Sequence, residues 1–203
     1  MRVLAARVSA CDGARHVDRI ALALIALLCA TSAQAAGVFD ERKEQCLACH
    51  GATGASPTAE TPSLGGQPEL FILYQLVGFR DGQRKNEIMS EMMKGMTDDD
   101  IRAAAALIAK QPPPPKPAEA PDAEKMKRGE TLAKANRCDI CHAGYAGQEQ
   151  IPRLKNQRED YLKALQDYKH DRRFGGRAEM NEVVRPLADN DLADLAHYIA
   201  HLP

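Results

Sequence analysis

Cys46-Leu47-Ala48-Cys49-His50 and Cys138-Asp139-Ile140-Cys141-His142 decide the reading of this chain. Each pentapeptide sets two thiols one helical turn apart with an imidazole directly after them. In that geometry two thioether bonds to haem vinyl groups leave the histidine facing the iron. Two other chemistries use similar residues. A thioredoxin-like Cys-x-x-Cys pair sits in a strand–helix alternation, and no period-two strand pattern occurs here. A structural zinc site takes four ligands from paired knuckles within one domain, whereas these motifs lie in separate halves of the sequence. Residues 36 to 203 contain no other cysteine. The pattern points to two covalently bound haem c groups, one at Cys46, Cys49 and His50 and one at Cys138, Cys141 and His142.

The text around the motifs repeats too. Pro62-Ser63-Leu64-Gly65-Gly66-Gln67 follows the first and Pro152-Arg153-Leu154-Lys155-Asn156-Gln157 the second. An amphipathic helix pattern comes next, on Leu70, Leu73, Tyr74 and Val77 in one half and Tyr161, Leu162, Leu165 and Tyr168 in the other. Each half closes on a helix with acids in its first turn, Thr97-Asp98-Asp99-Asp100 and Ala188-Asp189-Asn190-Asp191. Ile101, Ala105 and Ile108, and likewise Leu192, Leu195 and Ile199, mark the apolar faces. Between the halves, Gln111 to Pro121 is rich in proline and reads as a semi-rigid extended spacer. The expected architecture is all-α: a first domain at 36–111, a linker at 112–121 and a second domain at 122–203.

Composition agrees. With no Trp, five Tyr and four Phe in 203 residues, large side chains to fill two small cores are scarce, and small domains are marginal without a staple. Haem supplies both. The 27 Lys and Arg balance 28 Asp and Glu, so nothing suggests the concentrated basic surface that nucleic acid needs. The first half is acidic and the second neutral, which suits weak, complementary redox encounters.

Residues 1–35 read as a secretory signal: Arg2, Arg7, Arg15 and Arg19, an apolar run from Ile20 to Ala30, and Ala33-Gln34-Ala35 as the cleavage site. The run falls short of the roughly 20 apolar residues of a spanning helix, so no permanent membrane anchor is expected, and Leu28 before Cys29 argues against lipid attachment. Export implies a periplasmic protein.

The repeat also selects the second axial ligand. Met180 is the one methionine after the second motif, 38 residues past His142 and seven before Leu187. Aligning Met96-Thr97-Asp98 with Leu187-Ala188-Asp189 puts Met89 seven residues upstream in the first half, 39 past His50. Met92, Met93 and Met96 are left as flexible gap fillers. A ligating histidine usually donates its other ring N–H to a carbonyl, and Pro62 and Pro152 are placed to supply one. Arg172, Arg173, Arg177 and Arg185 either contact haem propionates or face water.

The two haem motifs, the doubled Pro-x-Leu-x-x-Gln and the methionine seven residues before an acidic helix start together resemble the cytochrome c4 group of tandem di-haem class I cytochromes c, over essentially all of residues 36–203. The resemblance implies a periplasmic carrier of single electrons with His/Met-ligated haems, feeding an oxidase or serving a dehydrogenase, and it implies that the two domains dock. Two features depart from the group: a long four-proline linker and little chain before Cys46 to form a full N-terminal helix. A dedicated cytochrome subunit of a dehydrogenase complex is the alternative. A small haem peroxidase is the enzymatic rival, disfavoured because His and Met together leave no open position on iron.

Overall fold

In the computed structural model, residues 37–58, 61–158, 161–173 and 178–202 are described. The signal segment with its cleavage site, and Arg177, lie outside them. Among the described residues every regular element is a helix apart from one isolated bridge between Gln148 and Ile151, and no helix is long and apolar enough to cross a membrane.

The first half contains α1 (Val38–His50), α2 (Glu69–Arg80), α3 (Glu87–Met93) and α4 (Asp98–Ala109); the second contains α5 (Ala123–Ala135), α6 (Cys138–Cys141), α7 (Tyr161–Lys169), α8 (Glu179–Val184) and α9 (Asp189–Ala200). Helix α4 starts where its sequence says. The Thr97 hydroxyl accepts the Asp100 N–H, and the Asp100 carboxylate accepts the Thr97 N–H and, at 3.1 Å, the N–H of Phe39 on α1. Helix α9 has only the reciprocal part of that box, Asp191 accepting the Ala188 N–H at 3.1 Å.

Each half has its own apolar cluster. Phe39, Phe71, Ile72, Leu76, Phe79, Met93, Met96, Ile101 and Ile108 build the first; Leu165, Tyr168, Val184, Leu192 and Leu195 build the second. Met93 and Met96 are thus packing residues. The expected face of α2 is corrected: Leu70 and Tyr74 are exposed, and the buried stripe is Phe71, Ile72, Gln75, Leu76 and Phe79. Helix α2 is apolar around most of its circumference, so periodicity alone does not pick its inner side. The register of the repeat does, because Phe71 lies 90 residues before Tyr161, as Pro62 does before Pro152 and Gln67 before Gln157.

The crossing of first and last helices in the second half needs Gly129. A Cβ there would lie 2.4 Å from the Asp194 carbonyl oxygen and from Tyr198 Cβ. At Gly37, 92 residues earlier, an added Cβ would instead meet a side chain, 2.2 Å from Asp100 Oδ1.

Ala36–Pro203 cluster as one compact unit holding both cores. The proline segment is a strap rather than a spacer. Gly66 donates its N–H to the Gln111 carbonyl at 2.9 Å, and added Cβ atoms on Gly65 or Gly54 would come within 1.9 and 2.5 Å of the Pro112 carbonyl oxygen. Pro114 is buried, and its carbonyl accepts from the Asn156 amide of the second half at 3.1 Å. Proline cannot enter a helix, but its extended backbone lies closely on a glycine surface.

Candidate functional site

Each histidine ends a helical turn that begins at a cysteine, so local helix geometry alone puts Cys46, Cys49 and His50, and Cys138, Cys141 and His142, within one turn. No disulfide joins these four cysteines. Burial pushes the Cys138 thiol up to about 11, with Asp139 adding to it, and raises Cys46 as well. Protonated thiols resist closing a disulfide within the motif.

His50 Nδ1 lies 2.9 Å from the Pro62 carbonyl oxygen and His142 Nδ1 lies 2.8 Å from that of Pro152. A carbonyl can only accept, so Nδ1 carries the hydrogen in both rings. Burial lowers both imidazole pKa values and keeps the rings neutral. Nε2 then holds a lone pair, which is the state a metal requires.

A cavity of about 230 Å³ stands beside His50, with Pro62, Leu64, Ile72, Leu76, Phe79 and Met89 in its wall. A second, of about 190 Å³, is lined by Cys138, Cys141, His142, Pro152, Met180 and a sleeve of Leu154, Leu165, Val184, Leu195 and Ile199. Every expected site residue of the second half lines one cavity. In the first half His50, Pro62 and Met89 do so, whereas Cys46 and Cys49 are not part of that wall. Met92, Met93 and Met96 line neither. Phe71, Pro152 and Tyr161 line both cavities, so a single partition separates them.

At the polar end of the first cavity, sequence reasoning missed Arg84 and gave Gln157 no role there, whereas Arg173 is one of the arginines expected to contact propionates or face water. Arg84 and Arg173, one from each half, both line that cavity. Arg84 lies 4.4 Å above the Phe79 ring and donates to Gln75 Oε1 at 2.6 Å; Arg173 lies 5.0 Å from the Tyr168 ring. Burial pushes Arg84 down to about 9, and the nearby Arg173 charge pushes the same way. Two donors in this wall, Arg173 Nε and Gln157 Nε2, are buried with no hydrogen-bond partner among the described residues. Leaving such donors unpaired is costly. Buried donors and cations beside an apolar cavity, together with neutral histidines and thioethers, fit an apolar macrocycle that carries carboxylates and an iron. The residues therefore suit haem.

Comparison with known proteins bears on the same residues. The cytochrome c family model matches residues 126–203. Cytochrome c4 of Thiocapsa roseopersicina is 35% identical over 175 residues, covering 77% of this chain and 86% of that protein. The thiosulfate dehydrogenase electron acceptor of Thiomonas intermedia (strain K12) is 32% identical over 170 residues, covering 78% of each. The crystal structure of reduced recombinant cytochrome c4 from Pseudomonas stutzeri superposes with a TM-score of 0.73 at 28% identity, covering 82% of this chain and 97% of that one. With relatives matched across both halves, the chain belongs to the cytochrome c4 family, electron carriers built from tandem class I cytochrome c domains with two covalently bound haem c groups.

Proposed function

We propose that residues 36–111 and 122–203 each hold one haem, through Cys46 and Cys49 in the first and Cys138 and Cys141 in the second. His50 with Met89, and His142 with Met180, would hold the irons, with Pro62 and Pro152 orienting the imidazoles. The observation that carries this reading is the pair of Nδ1–H donations to proline carbonyls, each beside a cavity with a methionine in its wall. Bound haem supplies reversible one-electron chemistry at its iron. The chain's own part would be to hold each iron with a histidine and a methionine, to exclude water with Phe71, Leu165 and their neighbours, and to offer Arg84, Arg173 and Gln157 to the propionates at the first site.

Residues 1–35 direct export to the periplasm with cleavage near Ala35, and the mature chain passes single electrons between redox proteins there, a dehydrogenase on one side and an oxidase on the other. The 32% identity to a thiosulfate dehydrogenase electron acceptor favours a dehydrogenase as donor. The same relative supports a second reading, a cytochrome subunit dedicated to one dehydrogenase. Purification from periplasm separates them: a shuttle elutes alone, a subunit with its enzyme.

Ligation is tested on the oxidised holoprotein through its thioether-to-iron charge-transfer band. Met89→Ala and Met180→Ala each remove about half of it and lower one potential, while acid–acetone extraction leaves both haems attached. Loss of the band in Met92→Ala instead would overturn the assignment of Met89.

A further inference from the structure

The backbone segments that carry the two histidine-holding carbonyls are themselves held from the opposite half. Gln67 belongs to the first half and is buried. Its Nε2 donates to the Arg153 carbonyl and its Oε1 accepts the Arg153 N–H, both at 2.9 Å. Arg153 directly follows Pro152, whose carbonyl accepts from His142 Nδ1. In the other direction, Arg158 of the second half donates to three carbonyls of one first-half loop: Ser56 at 3.1 Å, Thr58 at 2.6 Å and Thr61 at 3.2 Å. Thr61 directly precedes Pro62, whose carbonyl accepts from His50 Nδ1. The same loop is tied to the first haem motif, since Ser56 Oγ donates to the Cys49 carbonyl at 2.8 Å.

The repeat does not explain this crossing. Gln157 is the counterpart of Gln67, yet its Nε2 reaches no partner among the described residues, and a different side chain, Arg158, grips the first half. A bidentate amide on one backbone unit, and a guanidinium on three carbonyls, fix the position of a peptide segment more tightly than a single bond does.

We propose that Gln67 and Arg158 are positioning residues acting crosswise: each half sets the ring hydrogen bond of the other half's histidine, and through it the other haem's potential. The proposal rests on His50 and His142 being iron ligands. A ring N–H donated to a well-placed carbonyl makes the imidazole more basic and favours oxidised iron. Loosening that carbonyl shifts the potential upward, at the haem across the interface from the substituted residue.

The experiment uses oxidised and reduced holoprotein, with the hyperfine-shifted ring N–H signals assigned to each histidine and the two potentials measured separately. In Gln67→Leu the second haem's potential rises, the His142 ring N–H signal moves, and the first haem stays where it was. In Arg158→Lys, which keeps the charge and loses the grip on three carbonyls, the first haem's potential rises, the His50 signal moves, and the second stays. If Gln67→Leu separates the halves in small-angle scattering, Gln67→Glu serves instead: it keeps the acceptor for the Arg153 N–H and loses the donor to the carbonyl, so the His142 ring N–H signal moves while that of His50 does not. A shift at the substituted residue's own haem, or at neither, overturns the crosswise assignment. Ligated-imidazole signals in the unsubstituted protein that fail to assign to His50 and His142 overturn the ligand reading itself.

Discussion

The two halves reach the same pentapeptide by different routes. In the first, α1 runs unbroken from Val38 through the motif to His50 and stops at Gly51, whose φ is 92°. In the second, α5 ends at Ala135, Arg137 takes a left-handed φ of 54°, and the motif forms its own short helix, α6. His142 is then only 5% exposed, whereas His50 is half-buried. The break lets the second motif turn into its cavity independently of the helix before it. The unbroken helix of the first half ties the motif to α1, and other parts of the chain complete its surroundings: the strap beside Gly54, Arg158 on the loop before Pro62, and Arg173 in the cavity wall. Similar motifs do not make equally self-sufficient domains.

The largest expected effect tests that difference at the helix crossings. Gly129→Ala drives a methyl into the backbone of α9 and should cost about 3 kcal/mol by overpacking, seen as early unfolding of the second half in denaturant with each haem followed separately. Gly37→Ala meets only the carboxylate end of Asp100, a side chain that can turn aside, and should cost about 1 kcal/mol. Equal costs would show that the two crossings are equally rigid.

Next come the caps. Removing the Asp100 carboxylate in Asp100→Ala leaves the N–H of Thr97 and of Phe39 without their acceptor and should destabilise the first half by about 2 kcal/mol, against about 1 kcal/mol for Asp191→Ala in the second. Asp100 also carries a pH signature. The Thr97 N–H and hydroxyl, then the Phe39 N–H, hold its carboxyl below the ordinary 3.8. The unfolded chain therefore binds the proton more readily, so this stabilisation is complete above about pH 4 and fades as pH falls through the lower folded value. Acid titration of first-half stability should lose that component in Asp100→Asn.

The smallest effect concerns Arg173. Arg173→Gln removes a cation of the second half from the first cavity and should lower the first haem's potential by about 0.5 kcal/mol in reduction free energy, leaving the second nearly unchanged. A larger change at the second haem would assign Arg173 to its own half.

Much of this molecule is written locally. The two motifs, the Thr97 cap and the apolar face on Ile101, Ala105 and Ile108 follow from one-turn geometry and helical periodicity, and the spacing rule selects from the methionine cluster the one that lines the first cavity. Long-range features were harder to read. Nothing near Gln67 in sequence indicates a partner 86 residues away, although the doubled Pro-x-Leu-x-x-Gln was itself the available signal. The left-handed Arg137 lacks the glycine or asparagine that usually marks such a conformation. The strap was legible in Gly54, Gly65 and Gly66, three residues without side chains on one surface, but only once the proline segment is recognised as what lies on them.

That strap divides the joint between the halves into two stretches with different tolerances. Gln111 to Pro114 is held by a backbone hydrogen bond, by glycine contacts and by Asn156, so an added residue there would pull Pro112 off its seat. Pro115, Lys116 and Ala118 to Ala123 are exposed. A protease site, a flexible insert or a new pair of chain ends belongs in that second stretch, where the tether could be lengthened or cut with the first half's wrapping intact, leaving the side-chain bonds between the halves as what holds them together.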